Sequence, residues 1–246
     1  MGIPKKIYQT WRNKPIQIPV IHEYIDKMLN MNHGYEYELF DDNDMDNFVN
    51  DNFDSEITEC YNRLNIRTAK ADFWRYLILY KNGGIYLDID SIFLRPLDEL
   101  IRDTDDAIIT REPVGPVYVQ WALMFCKNHP ILEKTIQNVV FNIKNNISNN
   151  IIRMTGPYPY TLGVDQICNL CGYNSQLERE NLSLWTNNSN IEQKPDKTYT
   201  YNNYNFRIYG VEYGSFALSW IPEKDCLYSN EHPHHSVEDQ YKNLLK

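Results

Sequence analysis

Nowhere do 18 consecutive apolar residues occur in this 246-residue chain, so no membrane-spanning helix fits. The longest apolar stretches, such as residues 76–80, meet a charge within a few positions. Residues 1–6 run directly into polar sequence and lack the apolar core of a signal peptide. The expectation is therefore a cytoplasmic protein, microbial or viral in context, or a trimmed catalytic domain. Lysine and arginine form no cluster, and they number 24 against 33 aspartates and glutamates, a net charge of −9. That balance argues against a nucleic-acid binder, whose affinity rests on neutralising phosphates. Cysteine is scarce and odd in number, at five, which suits a reduced, intracellular protein. Cys168 and Cys171 form a CxxC, but no second pair completes a zinc site. Buried structural thiols are the simpler reading, a metal or redox pair the other. There is no internal repeat, no long linker and no glycine-rich phosphate loop, so residues 1–246 are expected to form a single domain. What is abundant is aromatic: 19 tyrosines, with aromatics at 13% of the chain. An acidic, aromatic-rich chain suits a protein that handles carbohydrate or nucleotide.

Helix-like and strand-like segments alternate along the chain, which argues for an α/β fold. Residues 3–10 read as a first strand and 20–31 as a helix with an apolar stripe. Residues 35–40 alternate as a second strand, and 45–53 read as a short helix. Residues 68–80 form a helix that Gly83 stops, with 85–89 the strand after it. Residues 107–110 read as a strand, 121–128 and 131–143 as helices split at Pro130, and 142–150 as a loop. A short strand is expected around 206–209 in an otherwise loop-rich C-terminal part.

The strongest chemical signal is Gly83-Gly84-Ile85-Tyr86-Leu87-Asp88-Ile89-Asp90. In a strand, Tyr86, Asp88 and Asp90 share one face while Ile85, Leu87 and Ile89 share the other, which belongs in a core. Two carboxylates would then stand close together at the C-terminal end of a strand, where open α/β sheets bind ligands. Such a pair repels itself unless a cation sits beside it, and carboxylate oxygens suit Mg²⁺ or Mn²⁺. A bare DxD is more often a solvated acidic turn, but here the glycines, the tyrosine and the apolar alternation favour a site. Asp72 and Arg75, three apart on the preceding helix, share a face. They read either as an intrahelical ion pair or as a pair reaching a polar ligand at that strand end, and spacing does not choose. Asp42, Asp44 and Asp46 fit the first positions of a calcium loop, but Asn47 replaces its glycine and Phe53 its bidentate glutamate. An acidic loop opening a helix is the better reading.

From Ala71-Asp72-Phe73-Trp74-Arg75-Tyr76 through Gly83-Gly84 to Tyr86-Leu87-Asp88-Ile89-Asp90, the chain resembles the central motif of glycosyltransferase family 32. This is a group of DXD sugar transferases that includes initiating mannosyltransferases and capsular polysaccharide enzymes, and it looks related to the glucosyltransferase domains of large clostridial toxins. The opening Ile3-Pro4-Lys5-Lys6-Ile7-Tyr8-Gln9-Thr10-Trp11 resembles the family's first strand. Asn128-His129-Pro130 and Thr155-Gly156-Pro157 with Thr161 match weaker downstream blocks in the right order. The resemblance implies a GT-A fold, a nucleotide-binding mixed α/β sheet flanked by helices. It also implies a metal-dependent hexosyltransferase that uses Mn²⁺ or Mg²⁺ and a UDP- or GDP-sugar, with retention of configuration. Carried over, Gln9, Thr10 and Trp11 would line the donor site, with Trp11 stacked on the base. Asp72 and Arg75 would hold the donor sugar and diphosphate, and Tyr86 would lie beside the nucleotide. Asp88 would contact ribose or sugar and the metal, and Asp90 would ligate the metal directly. Asp165 and Gln166 look like a block that faces the donor sugar in a neighbouring family; Asp165 also reads as a helix N-cap.

The chain departs from the family pattern in three places. Tyr8 stands where family members usually carry His, and Ala71 where they carry Ser. The family's C-terminal block has a His followed shortly by Ser-Trp. Here Glu231-His232-Pro233-His234-His235-Ser236 supplies histidines with no Trp after them. His234 or His235 is the candidate further metal ligand, and a polar tail is the alternative. Two other functions fit the same carboxylates: a metal-dependent phosphohydrolase or nucleotidyltransferase, and a catalytically degenerate protein that only binds nucleotide sugars. The acceptor, whether glycan, lipid or protein, is not readable from these residues.

Overall fold

A computed structural model describes residues 2–112, 115–174, 197–209, 218–221 and 244–245. In chain order the elements are β1 (Lys6–Thr10), α1 (Pro19–Met31), β2 (Glu36–Phe40), α2 (Asp42–Asn52), α3 (Ser55–Arg63) and α4 (Arg67–Asn82). β3 (Gly84–Leu87), β4 (Ser91–Phe93), α5 (Leu97–Leu100), β5 (Ala107–Thr110) and β6 (Ala122–Phe125) follow. The last are α6 (Pro130–Lys144), α7 (Ile151–Met154), α8 (Pro157–Leu170), β7 (Lys197–Tyr201), β8 (Tyr204–Tyr209) and β9 (Leu218–Trp220).

Seven strands form one mixed sheet in the order β2-β1-β3-β6-β5-β8-β7, and β4 pairs with β9 in a separate ribbon. β1, β2, β3, β5 and β8 run parallel, while β6 and β7 oppose them. The ends of β1, β3 and β5 therefore open onto one edge of the sheet, where a ligand site belongs. Alternate side chains feed two cores. Tyr8, Tyr86, Phe125 and Phe206 pack toward α4, α6 and α8, and Ile7, Ile85, Leu87 and Met124 fill the opposite layer.

This burial explains two differences from the sequence reading. Residues 121–128 are not a helix. Ala122–Phe125 is a central strand buried on both faces, so its unbroken apolar run carries no period of two. β3 likewise stops at Leu87, and Tyr86 is buried rather than sharing an open face with Asp88 and Asp90. A turn follows in which Ser91 N–H donates to Asp88 O at 3.0 Å, so Asp90 is placed by the turn and not by strand alternation.

The acidic segment at 41–46 is a helix start. Asp41 Oδ1 accepts from the N–H groups of Asn43 and Asp44, and Asp44 Oδ2 accepts from Asp41 N–H, a complete capping box. Asp42 and Asp46 are held by Arg67, with Lys70 also on Asp46, which leaves no calcium loop. Among the described residues no helix is long and apolar enough to cross a membrane.

Candidate active site

α4 is buried along most of its length, and this carries Asp72 and Arg75 into the molecule, 6% and 4% exposed. Gly83 ends the helix at φ 68°, and β3 then runs back to deliver Asp88 at its C-terminal end. Arg75 Nη2 lies 3.1 Å from Asp72 Oδ1 and 3.1 Å from Asp88 Oδ1. Its Nη1 donates to Gln120 O at 3.1 Å, and the guanidinium carbon stands 4.6 Å from the centre of the Tyr86 ring. Nε has no hydrogen-bond partner among the described residues. Asp72 and Arg75 thus form the intrahelical ion pair, and the same cation also holds the first DXD carboxylate.

Further hydrogen bonds brace the carboxylates of this cluster. Tyr86 Oη donates to Asp88 Oδ1 at 2.6 Å and lies 3.3 Å from Thr10 Oγ1. Gln9 Nε2 donates to Asp88 O at 3.3 Å, and Tyr37 Oη donates to Gln9 Oε1 at 3.1 Å. Asp72 accepts from Gln120 Nε2 at 2.9 Å and from Thr155 Oγ1 at 3.3 Å. Gln9, Thr10, Asp72, Arg75, Tyr86 and Asp88 are therefore brought together as the sequence suggested. Gln120 and Tyr37 were missed because nothing local marks them, whereas Thr155 opened a block already noted.

Burial pushes the Asp88 carboxyl up to about 6, with Arg75 opposing and the Asp90 charge adding to the rise. Burial also raises Asp72, against Arg75 and its two hydrogen-bond donors. Tyr86 is driven well above its ordinary range by burial, so it stays a phenol and a donor to Asp88. Asp88 and Asp90 are two hard-oxygen carboxylates, and the Asp90 charge raises the cost of ionising Asp88. A Mg²⁺ or Mn²⁺ ion fits that donor set and would relieve the repulsion. Among the described residues no group of three or more His, Cys, Asp or Glu is placed to hold a metal. His234 and His235 lie outside the described residues.

Trp11 is 9% exposed and packs with Ile16, Ile18, Ile21 and Ile221. Ile89, the middle residue of the DXD, belongs to the same cluster, and the Arg12 guanidinium lies 5.4 Å over the Trp11 ring. Asp165 and Gln166 sit inside α8, so Asp165 is not an N-cap. Gln166 exchanges hydrogen bonds with Asn138 of α6, and Asp165 lines a cleft whose walls include none of Asp72, Arg75, Asp88 or Asp90. Cys168 is buried and free, and Cys171, also free, is half-buried with its thiol toward Thr200 O.

A Ser-Trp dipeptide stands ahead of the histidines in sequence, at Ser219-Trp220. β9 sets Trp220 opposite Ser91 and Ser219 opposite Ile92, and Ile221 N–H donates to Asp90 O at 2.8 Å. The Trp220 ring packs on Trp121 at 4.5 Å, Trp121 O accepts from Asp88 N–H at 2.8 Å, and Trp121 Nε1 donates to Glu112 at 2.7 Å.

Residues 20–107 match the profile of a family described as glycosyltransferase sugar-binding region containing DXD motif. An uncharacterized glycosyltransferase, L373, of Acanthamoeba polyphaga mimivirus is 30% identical over 63% of this chain and 61% of its own. Inositol phosphoceramide mannosyltransferase 3 of Schizosaccharomyces pombe is 32% identical over 56% of this chain and 37% of its own. The initiation-specific alpha-1,6-mannosyltransferase of Candida albicans is 26% identical over 55% and 42%. The chain thus spans less than two thirds of the length of each of these relatives. In structure it is similar to the PaToxG glycosyltransferase, with TM-score 0.58 and 22% identity over 75% of this chain and 76% of that one. The resemblance to DXD sugar transferases holds in sequence, and the fold is that of a glycosyltransferase.

Proposed function

We propose that the chain is a metal-dependent glycosyltransferase acting within one GT-A domain. It moves a hexose from a UDP- or GDP-sugar to an acceptor hydroxyl, with retention of configuration. The observation that supports this most is the Arg75–Asp88 pair at 3.1 Å, which fixes the first DXD carboxylate at the open edge of the sheet with Asp90 two residues on. Several of the similar proteins are named mannosyltransferases, so a GDP-mannose-like donor is the first to try.

Asp88 and Asp90 would hold the cation, which supplies Lewis-acid neutralisation of the departing diphosphate. Tyr86 and Arg75 keep Asp88 oriented from below, and Gln9 pins its backbone. Trp11, with Ile89, would form the apolar flank of the nucleotide site. An acceptor oxygen attacks the anomeric carbon as the bond to the diphosphate oxygen breaks. The acceptor's proton passes to that leaving oxygen, so no side chain is needed as a general base. Excluding water matters here, since water is a competing nucleophile, and the Trp121–Trp220 pair closes the flank beside Asp88.

The test is release of nucleoside diphosphate from a panel of UDP- and GDP-sugars with Mn²⁺. Turnover that survives Asp88→Asn combined with Asp90→Asn overturns the reading. Cleavage of nucleotides that carry no sugar would move the protein to the hydrolase class.

A further inference from the structure

Asp88 and Asp90 stand in a turn, so their spacing depends on whatever holds that turn. Gln9 reaches the Asp88 carbonyl from the β1 side, and two further segments grip the backbone. On one side Trp121 O accepts from Asp88 N–H at 2.8 Å; on the other Ile221 N–H donates to Asp90 O at 2.8 Å. These two segments are themselves joined, because the Trp121 ring packs at 4.5 Å on Trp220, the residue before Ile221. Gln120, the residue before Trp121, holds Asp72 through its amide and Arg75 through its carbonyl. A shift of residues 120–121 therefore displaces Asp72, Arg75 and Asp88 together.

Residues 120–121 lie where the β5–β6 ladder slips. Ile108 pairs with Met124, and Arg111 pairs with Tyr118. One strand takes three steps between these pairs and the other takes six, so three residues on the β6 side are extra. Such a bulge re-aims side chains but loses its ladder on that side, so something else must hold it. The bond from Val119 N–H to Thr110 O, at 2.8 Å, is the last before the bulge. Glu112 then reaches back from the far side of the hairpin, and its Oε1 accepts from Trp121 Nε1–H at 2.7 Å. Glu112 is half-buried, and among the described residues no cation pairs with it. Burial pushes its carboxyl up, with the indole hydrogen bond opposing. A carboxylate so placed is costlier for folding than an apolar side chain. What it adds is a fixed direction for the indole.

We propose that Glu112 is a positioning residue: by holding the Trp121 indole it fixes residues 120–121, and through Trp121 O and the Trp121–Trp220 contact it sets the spacing of the two DXD carboxylates. The assignment rests on the metal-dependent reading above and adds a residue that lies in none of the motif blocks. Glu112 forms no hydrogen bond with Asp88 or Asp90 among the described residues, so its influence on a cation passes through Trp121.

Two measurements keep this role distinct from the reading it rests on. Hydrogen exchange of the metal-free protein follows the amides of Asp88 and Ile221, which bond to Trp121 O and Asp90 O. In Glu112→Leu both should exchange about tenfold faster, the effect of losing one hydrogen bond. Trp121→Phe removes the same bond and should do likewise, which keeps the test intact should Glu112→Leu not fold. Asp54→Ala, which removes the N-cap of α3, is the control for lost stability elsewhere. It should leave both amides at the parent's rates. Titration calorimetry with Mn²⁺ then reads the carboxylates. Glu112→Leu and Trp121→Phe should each bind about tenfold more weakly, and the double variant no more weakly than either. Glu112→Gln keeps an oxygen that accepts from the indole, and should bind within about twofold of the parent. Glu112→Gln as weak as Glu112→Leu would show that charge alone acts on the cation, and overturns the positioning role. So do unchanged exchange rates in Glu112→Leu, equal acceleration in Asp54→Ala, or additive losses in the double variant. Absence of Mn²⁺ binding by the parent would overturn the metal-dependent reading, while the exchange rates still judged Glu112.

Discussion

Arg75 and Asp88 are joined at 3.1 Å across the junction of α4 and the end of β3, with the guanidinium buried and the Asp88 side chain half-buried. The same Nη2 meets Asp72 one helical turn away, so one buried cation faces two carboxylates. A buried arrangement of this kind is poor evidence for stability in itself, because desolvation offsets most of the attraction. Its consequence is geometric: the guanidinium, held also by Gln120 O and the Tyr86 ring, fixes where the DXD turn begins.

Removing that cation leaves the buried Asp72 and the half-buried Asp88 without their partner. Arg75→Met is expected to lower unfolding stability by about 3–5 kcal/mol. Arg75→Lys keeps a charge but cannot reach Asp72, Asp88 and Gln120 O at once, and should recover only part of it. In urea titrations the double variant Arg75→Met with Asp72→Asn should lose clearly less than the sum of its single changes. Additive losses would show that the two residues do not act as a unit.

Asp88 gives a dependence on pH whose sign follows from its raised carboxyl. In the metal-free protein the folded state keeps the Asp88 proton up to about 6, while the unfolded chain releases it from its ordinary value of 3.8. Across that window the folded state binds more protons, so this group lowers stability as pH rises. Asp88→Asn should therefore leave the metal-free protein as stable as the parent, or more so, at pH 7. Manganese needs the ionised carboxylate, so its apparent affinity should fall as pH drops through about 6, approaching about tenfold per pH unit below that. Titrations of Mn²⁺ between pH 5 and 7.5 check this; a flat profile would remove Asp88 from the ligand set.

The parts of this site that lie close in sequence were legible in it. Asp72 and Arg75 three apart on a helix, the paired glycines, and Asp88 with Asp90 each announce a local geometry. What was not legible depends on burial and on distant strands. The face-sharing argument for Tyr86, Asp88 and Asp90 assumed a strand running to Asp90, but β3 is covered on both sides and ends at Leu87. Ala122–Phe125 carries no alternation for the same reason. Gln120 enters only because β6 lies beside β3 in the sheet. Ser219-Trp220 becomes meaningful only once β9 pairs with β4.

His129 supplies an opposite slope. It caps α6, its Nδ1 accepting from Ile131 N–H at 3.2 Å, and it is enclosed by Phe125, Tyr204 and Phe206. Burial holds the imidazole down at about 3, against the Asp106 charge, while the unfolded side chain protonates at its ordinary 6.5. The unfolded state thus binds more protons between those values, and stability falls as pH falls, by up to about 1.4 kcal/mol per unit. His129→Phe should cost stability through the lost cap and packing, yet flatten the profile between pH 4 and 6. Denaturant midpoints compared with those of the parent and Asp88→Asn separate the two opposing groups.

Gly84 tests how closely the DXD turn depends on the strand behind it. Its φ is 111°, and a Cβ there would stand 2.8 Å from Lys6 O and 3.0 Å from the ring of Tyr8. The backbone oxygen cannot swing aside, and the conformation itself is strained for any L side chain. Gly84→Ala is therefore expected to cost about 1–3 kcal/mol and to push β3 away from β1. Since Ile7 and Tyr8 pair with Ile85 and Tyr86, that shift moves Tyr86 and with it the hydrogen bond to Asp88. Shortening Tyr8 to Ala in the same chain relieves the ring contact but not the one with Lys6 O. Partial recovery of Mn²⁺ affinity in Gly84→Ala with Tyr8→Ala, at a stability still below that of the parent, is the expected pattern. Unchanged Mn²⁺ affinity in Gly84→Ala alone would mean that the metal carboxylates do not depend on the register of β3.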